Sequence, residues 1–201
     1  CSTDSQRQQL VSGLAVALGR IHRTSPRPGL PDRPVEALLE RARSRLARGH
    51  VPLRNFTARY GSNLTTPAAL EGELERLQSL ACRLEARPHV LLHGDPCLPN
   101  FLVDSSHAVI GCIDLAGVGL GDPYLDLALA HWSVQHNLGA PWGELFLEAY
   151  AHTLHGAGTE GDDQSTPAAS IGEKGAAGAG PDGGIDRERL SFFAVLTRFL
   201  V

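Results

Sequence analysis

The chain has 201 residues, 42% of them hydrophobic and 20% charged, with a formal net charge of −4. That length suits one domain with room for an insertion, and the apolar share is enough for a core. No apolar run reaches the roughly 18 residues that would suggest a membrane span, and no secretory leader pattern is present.

Cys1, Cys82, Cys97 and Cys112 are widely spaced and form no Cys-x-x-Cys pair. They read as reduced thiols, so the expected compartment is the cytoplasm. A zinc site drawn from His89, His93 and Cys97 would need a helix, which Gly94 and Pro96 forbid.

The first predicted element is a helix over 4–24, with Leu10, Leu14, Leu18 and Ile21 on one stripe and Ser2, Thr3 or Asp4 as cap. Residues 25–34 hold four prolines and a glycine and read as a linker. A second helix is expected over 34–48, opened by Pro34 and closed by Gly49. A third covers 67–86, with Thr66 as cap and Pro67 in the first position.

Then the pattern changes. His89 to Leu92 reads as a short strand, Phe101 to Val103 as a second and Ala108 to Ile113 as a third, with Ser105-Ser106-His107 as a turn. Asp122-Pro123 opens a further helix to about Asn137, and Pro141 to His155 forms another. Residues 156–184 carry nine glycines and almost no large apolar side chain, so a disordered insertion is expected there. An apolar helix over 186–200 closes the chain. The expected fold class is therefore α+β and mostly α, with helices around one β-hairpin.

Charge is segregated. Residues 1–87 carry a net +6, residues 88–155 carry −7 with no Lys or Arg, and 156–201 carry −3. Acidic walls would attract a divalent cation and a polycationic small molecule, and repel a nucleic-acid backbone. Arg41, Arg43, Arg45 and Arg48 alternate along a helix, which points them to different faces, and a solvated surface is the expected role.

The segment His93-Gly94-Asp95-Pro96-Cys97-Leu98-Pro99-Asn100, followed by Ile113-Asp114, carries the chemistry. Asn100 lies five positions after Asp95, and Asp114 nineteen after it. Gly94, Pro96 and Pro99 force an irregular loop, and the hairpin returns Asp114 toward it. One acid to take a hydroxyl proton, with an amide and a second acid to hold magnesium, is the donor set phosphoryl transfer uses.

These residues resemble the catalytic core of the aminoglycoside phosphotransferases. The likeness covers His93-Gly94-Asp95 to Asn100, Gly111 to Leu115, and Asp122-Pro123-Tyr124-Leu125-Asp126-Leu127-Ala128; the wording at 94–104 is similar to the streptomycin branch. The resemblance implies a protein-kinase-like C-terminal lobe that uses ATP and Mg²⁺ on a small, polycationic acceptor. It implies Asp95 as catalytic base, Asn100 and Asp114 as metal ligands, Ile113 and Leu102 as the apolar floor under the adenine, and Asp126 as a brace of the catalytic loop. His93 is expected to fix that loop rather than to react.

The chain departs from the family pattern in three places. Asp114-Leu115-Ala116-Gly117 stands where Asp-x-Gly-Arg is usual, Asp122-Pro123-Tyr124 where a basic residue is common, and Thr197 to Val201 where acids and aromatics are typical. The chain has no Met and one lysine, Lys174, and residues 1–87 read as helices. The expectation is that the nucleotide-clamping β lobe is missing. Two alternatives accompany the aminoglycoside reading: a kinase for another hydroxylated metabolite, and a truncated lobe that transfers nothing.

Overall fold

The computed structural model describes residues 3–56, 64, 66–155 and 184–200. Among the described residues, six α-helices surround two small sheets. Helix α1 spans Asp4–Arg23. Thr3 Oγ1 accepts from the Gln6 N–H while the Gln6 side chain accepts from the Thr3 N–H, a reciprocal cap that satisfies two orphan donors. Helix α2 (Val35–Ala47) follows Pro34, and α3 (Pro67–Ala81) is capped by Thr66, whose Oγ1 accepts from the Ala69 N–H. Helices α4 (Pro123–Leu138), α5 (Ala140–His155) and α6 (Arg187–Leu200) complete the set.

Strand β2 (Val90–Leu92) precedes the hairpin of β3 (Phe101–Val103) and β4 (Val109–Cys112). Phe101 lies opposite Cys112, and the register slips between Leu102 and Val103. The Asp104 carboxylate closes the hairpin by accepting from Ser106 N–H, Ser106 O–H and Ala108 N–H. Those bonds hold its carboxyl below the usual range.

Two strands are absent from the sequence reading. β1 (Asp32–Arg33) and β5 (Gly119–Gly121) join β2 in a three-stranded sheet ordered β1-β5-β2. The linker expected over 25–34 thus ends in a strand parallel to β5. With two or three residues apiece, two of them glycines in β5, neither strand has a side-chain alternation to read. The helix expected over 67–86 ends early, at Ala81. The insertion expected at 156–184 lies, except for Gly184, outside the described residues.

Helix α1 packs on α5, α4 on α5 and α6, and α2 on α3 and α6. Leu14, Leu18, Tyr124, Phe146, Tyr150, Phe193 and Phe199 are fully buried. Phe56 meets Phe199 edge to face at 4.6 Å between ring centroids. A buried ion pair locks α6 to the start of α4: Arg189 Nε donates to Asp122 Oδ2 at 2.7 Å, and its Nη2 donates to the Glu85 carbonyl. Asp122 also accepts from the Tyr124 N–H as cap of α4, so the cap and the pair share one carboxylate. Between β2 and the hairpin, this body leaves the loop that carries the sequence motif.

Candidate functional site

Asp95 stands on the irregular loop after β2. Gly94 makes the turn possible at φ +89°, and a Cβ there would land on the Gly117 carbonyl. Gly117 in turn comes so near Gly94 that its own Cβ would sit 3.0 Å from the Gly94 Cα. The two loops that bear Asp95 and Asp114 therefore meet backbone to backbone, and glycine at position 94 is a packing requirement. Gly94→Ala is expected to destabilise the fold by more than the roughly 1 kcal/mol ordinary for Gly→Ala at positive φ, because the clash is with backbone. Urea denaturation of the purified chain checks this; an unchanged midpoint would contradict the contact.

Asn100 ends a 3₁₀ turn over Leu98–Asn100. Its Nδ2 donates to the Asp95 carbonyl at 2.9 Å and to Asp95 Oδ2 at 3.1 Å. Its own carbonyl accepts from the Ile113 N–H at 2.9 Å, which ties the loop to the end of β4. Among the described residues, no hydrogen bond engages Asn100 Oδ1. Asp114 follows β4 in the left-handed region, φ 59° and ψ 58°. That conformation costs a non-glycine residue about 1–3 kcal/mol and is held where surrounding structure insists on it. No described residue pairs with its carboxylate.

A cleft of about 420 Å³ joins these parts, with Asp95, Asp114, Gly94 and Gly117 on one side. Leu125 and Leu129 of α4, Thr197 and Leu200 of α6, and Arg33 and Arg41 also line it. The cleft is thus not purely acidic. Its cations come from the basic first half of the chain, brought across by β1 and α2. Arg43 and Arg45 leave in other directions, to Gln78 and to the Phe199 and His50 carbonyls. Leu102 and Ile113 lie outside the cleft on the hairpin face, 46% and 47% exposed.

The loop is held from beneath by one carboxylate. Asp126, fully buried, accepts the His93 N–H at 2.7 Å and the Gly94 N–H at 3.0 Å. It also meets His22 Nε2 at 3.2 Å, and His22 Nδ1 lies 2.7 Å from the Tyr150 hydroxyl. In the neutral ring Nε2 carries the hydrogen toward Asp126, and Tyr150 donates to Nδ1. Burial, with Asp126 nearby, pushes the Tyr150 phenol well above its ordinary range and keeps that donor protonated. His93 supports the loop too, since its Nδ1 accepts from the Asp95 N–H at 3.3 Å.

His22 was hard to single out, yet a signal existed. It continues the stripe Leu14, Leu18, His22 at four-residue steps, so it had to enter the core and find a polar partner there. Cys97 is a second neighbour. Burial first, then the hydrogen bond and charge of Asp95, push its thiol up to about 12. Against an ordinary thiol near 8.5, the thiolate fraction falls by roughly 10³. Iodoacetamide at about pH 8 should label exposed Cys82 at least about a hundred times faster than Cys97. Equal labelling rates by peptide mapping would place Cys97 outside this environment.

The helical body, the hairpin and the cleft make a kinase-like α+β fold. Residues 2–161 match the model of the phosphotransferase enzyme family, and the chain belongs to that family. It is 30% identical over 157 residues to an aminoglycoside 3'-phosphotransferase of Streptomyces fradiae, covering 75% of this chain and 56% of that one. It is 34% identical over 120 residues to a streptomycin 3''-kinase of Streptomyces griseus, covering 58% of this chain and 42% of that one. The aminoglycoside phosphotransferase APH(3'')-Id of Streptomyces rimosus, solved with ADP and streptomycin, superposes with a TM-score of 0.70 at 25% identity. That match covers 100% of this chain and 65% of the other. The chain thus spans about half the length of the curated relatives it matches.

Proposed function

We propose that this chain carries the base and cation half of a phosphotransferase that moves the γ-phosphoryl group of ATP to a hydroxyl of an aminoglycoside. The observation that carries the reading is the convergence of Asp95 and Asp114 on one cleft, with the Asn100 amide fastened to Asp95. Its relatives' names, and a similar structure solved with ADP and streptomycin, support the substrate pair.

In the proposed step, the acceptor oxygen bonds to the γ-phosphorus as the bond to the bridging oxygen of ADP breaks. The hydroxyl proton passes to the Asp95 carboxylate, and ADP leaves. Asn100 positions Asp95 through two hydrogen bonds, so the carboxylate is preorganised. The free Oδ1 of Asn100 and the unpaired Asp114 carboxylate are hard oxygen donors that fit Mg²⁺, and they are the residues that would hold it. Bound there, the ion would neutralise charge on the nucleotide phosphates. Ile113 and Leu102 would form an apolar floor for the adenine, which accounts for large aliphatic side chains left open on the hairpin.

The acidic stretch 88–155 suits an acceptor bearing ammonium groups. Unpaired Cys82, Cys97 and Cys112 fit a reducing, ATP-containing cytoplasm. Among the described residues, no helix is long and apolar enough to cross a membrane.

The test is a transfer screen with the intact gene product. ATP labelled in the γ position is incubated with kanamycin-type and streptomycin-type aminoglycosides and with simple alcohols such as choline and homoserine. Labelled aminoglycoside is the expected product. Label on a simple alcohol alone, or on none of the acceptors, would overturn the reading.

A further inference from the structure

Arg33 occupies an unusual position. Its backbone belongs to β1, opposite Gly121 of β5, and its side chain runs back along that strand. A Cβ at Gly121 would lie 3.6 Å from the Arg33 Cβ, and one at Gly119 would lie 2.8 Å from its Nε. The two glycines clear a track on which the side chain lies. The track ends at the cleft shared by Asp95 and Asp114, which Arg33 lines together with Arg41.

Among the described residues, the guanidinium has no hydrogen-bond or ion-pair partner. Arg33 Nε is buried with no hydrogen-bond acceptor, and no described carboxylate pairs with the side chain. A guanidinium donor withdrawn from water without an acceptor is costly, and such a group in a native fold calls for an explanation. Arg33 also stands apart from Asp95 and Asp114, since neither forms an ion pair with it. Its charge is therefore uncommitted, in a cleft where an ammonium-bearing group would be repelled by it and a phosphoryl group attracted. Guanidinium forks match phosphoryl oxygens in geometry as well as in charge. Gly117, which also lines the cleft, contributes no side chain to that task.

We propose that Arg33, with Arg41 beside it, holds the oxygens of the phosphoryl group in transit across this cleft. The proposal rests on the phosphotransfer reading above. The hydroxyl proton still goes to Asp95; Arg33 binds charge and exchanges no proton. The strand pairing of β1 with β5 gains a purpose: it delivers a cation from the basic first half of the chain to an otherwise acidic site.

Two measurements on the intact gene product test it. The first needs no turnover: inorganic phosphate is titrated calorimetrically at low ionic strength into the wild type, Arg33→Ala, Arg33→Lys and Arg41→Ala. Arg33→Ala should weaken phosphate binding about tenfold or more, and Arg33→Lys should recover part of it. The second is kinetic: Arg33→Ala should lower kcat about tenfold or more, with acceptor KM within about threefold, and added guanidinium should restore part of the rate. Unchanged phosphate affinity in Arg33→Ala, or a folded Arg33→Ala enzyme with wild-type kcat, would overturn the proposal. A wild type that binds phosphate through Arg33 yet transfers to no acceptor would sink the phosphotransfer reading and keep the anion site.

Discussion

Asp126→Ala is expected to lower the folding free energy by about 3–5 kcal/mol, the usual cost of removing one member of a buried charged cluster. The reason is stoichiometric. One fully buried carboxylate serves the His93 N–H, the Gly94 N–H and His22 Nε2, and alanine leaves those donors in a dry core. His22 is in turn bonded to Tyr150, so the loss reaches α1 and α5 as well as the loop. Tyr150→Phe removes one hydrogen bond and should cost only about 1 kcal/mol. Denaturant titration of the purified chain reads both values. A loss below about 1 kcal/mol for Asp126→Ala would mean that water or a rearranged loop satisfies the donors.

The same carboxylate holds the two peptide N–H groups immediately before Asp95, so the Asp95 loop and the helical core share one anchor. Its place at the start of α4 also suits a negative charge, because the helix N-terminus carries the positive end of the macrodipole.

Asp95→Asn should behave in the opposite way. The side chain lines the cleft and its main protein contact is with Asn100, so stability should change by no more than about 1 kcal/mol. Turnover in the intact gene product should fall by about 10²–10⁴, the range for loss of a positioned general base. Acceptor KM should stay within a few-fold, because an amide of the same size still fills the place. A variant with near-wild-type kcat would remove Asp95 from the reaction.

Much of the architecture was open to a reader of the sequence. The helix starts were legible because Thr3, Thr66 and Asp122 are capping residues followed by apolar stripes, and each cap bond is present. The hairpin was legible because Phe101 to Val103 and Val109 to Cys112 flank a polar turn. Gly94, Pro96 and Pro99 marked the loop between β2 and the hairpin. The convergence of Asp95, Asn100 and Asp114 followed from that hairpin.

What stayed hidden depends on long-range pairing. Asp32–Arg33 and Gly119–Gly121 are too short for any periodicity, and their partnership spans almost half the chain. Without it, Arg33 reads as a linker residue, and the cleft reads as wholly acidic. The Asp126–His22 contact likewise joins residues 104 positions apart. Burial of His22 could be inferred from its stripe, but its partner could not. Arg41 is exposed, as a solvated role requires, yet it also lines the cleft. That second placement depends on residues far along the chain, Asp114 to Gly117 and Thr197 to Leu200, which line the same cleft.

Asp95, Asn100 and Asp114 are proposed to form one site in which the base and the nucleotide-bound cation work side by side. The most direct test is the affinity of the intact gene product for Mn²⁺ with ADP, read by electron paramagnetic resonance. Asp114→Asn should weaken that affinity about tenfold or more, while Asp95→Asn should keep it within a few-fold of wild type. An Asp114→Asn protein that binds Mn²⁺ with ADP as tightly as the wild type would take Asp114 out of the cation site.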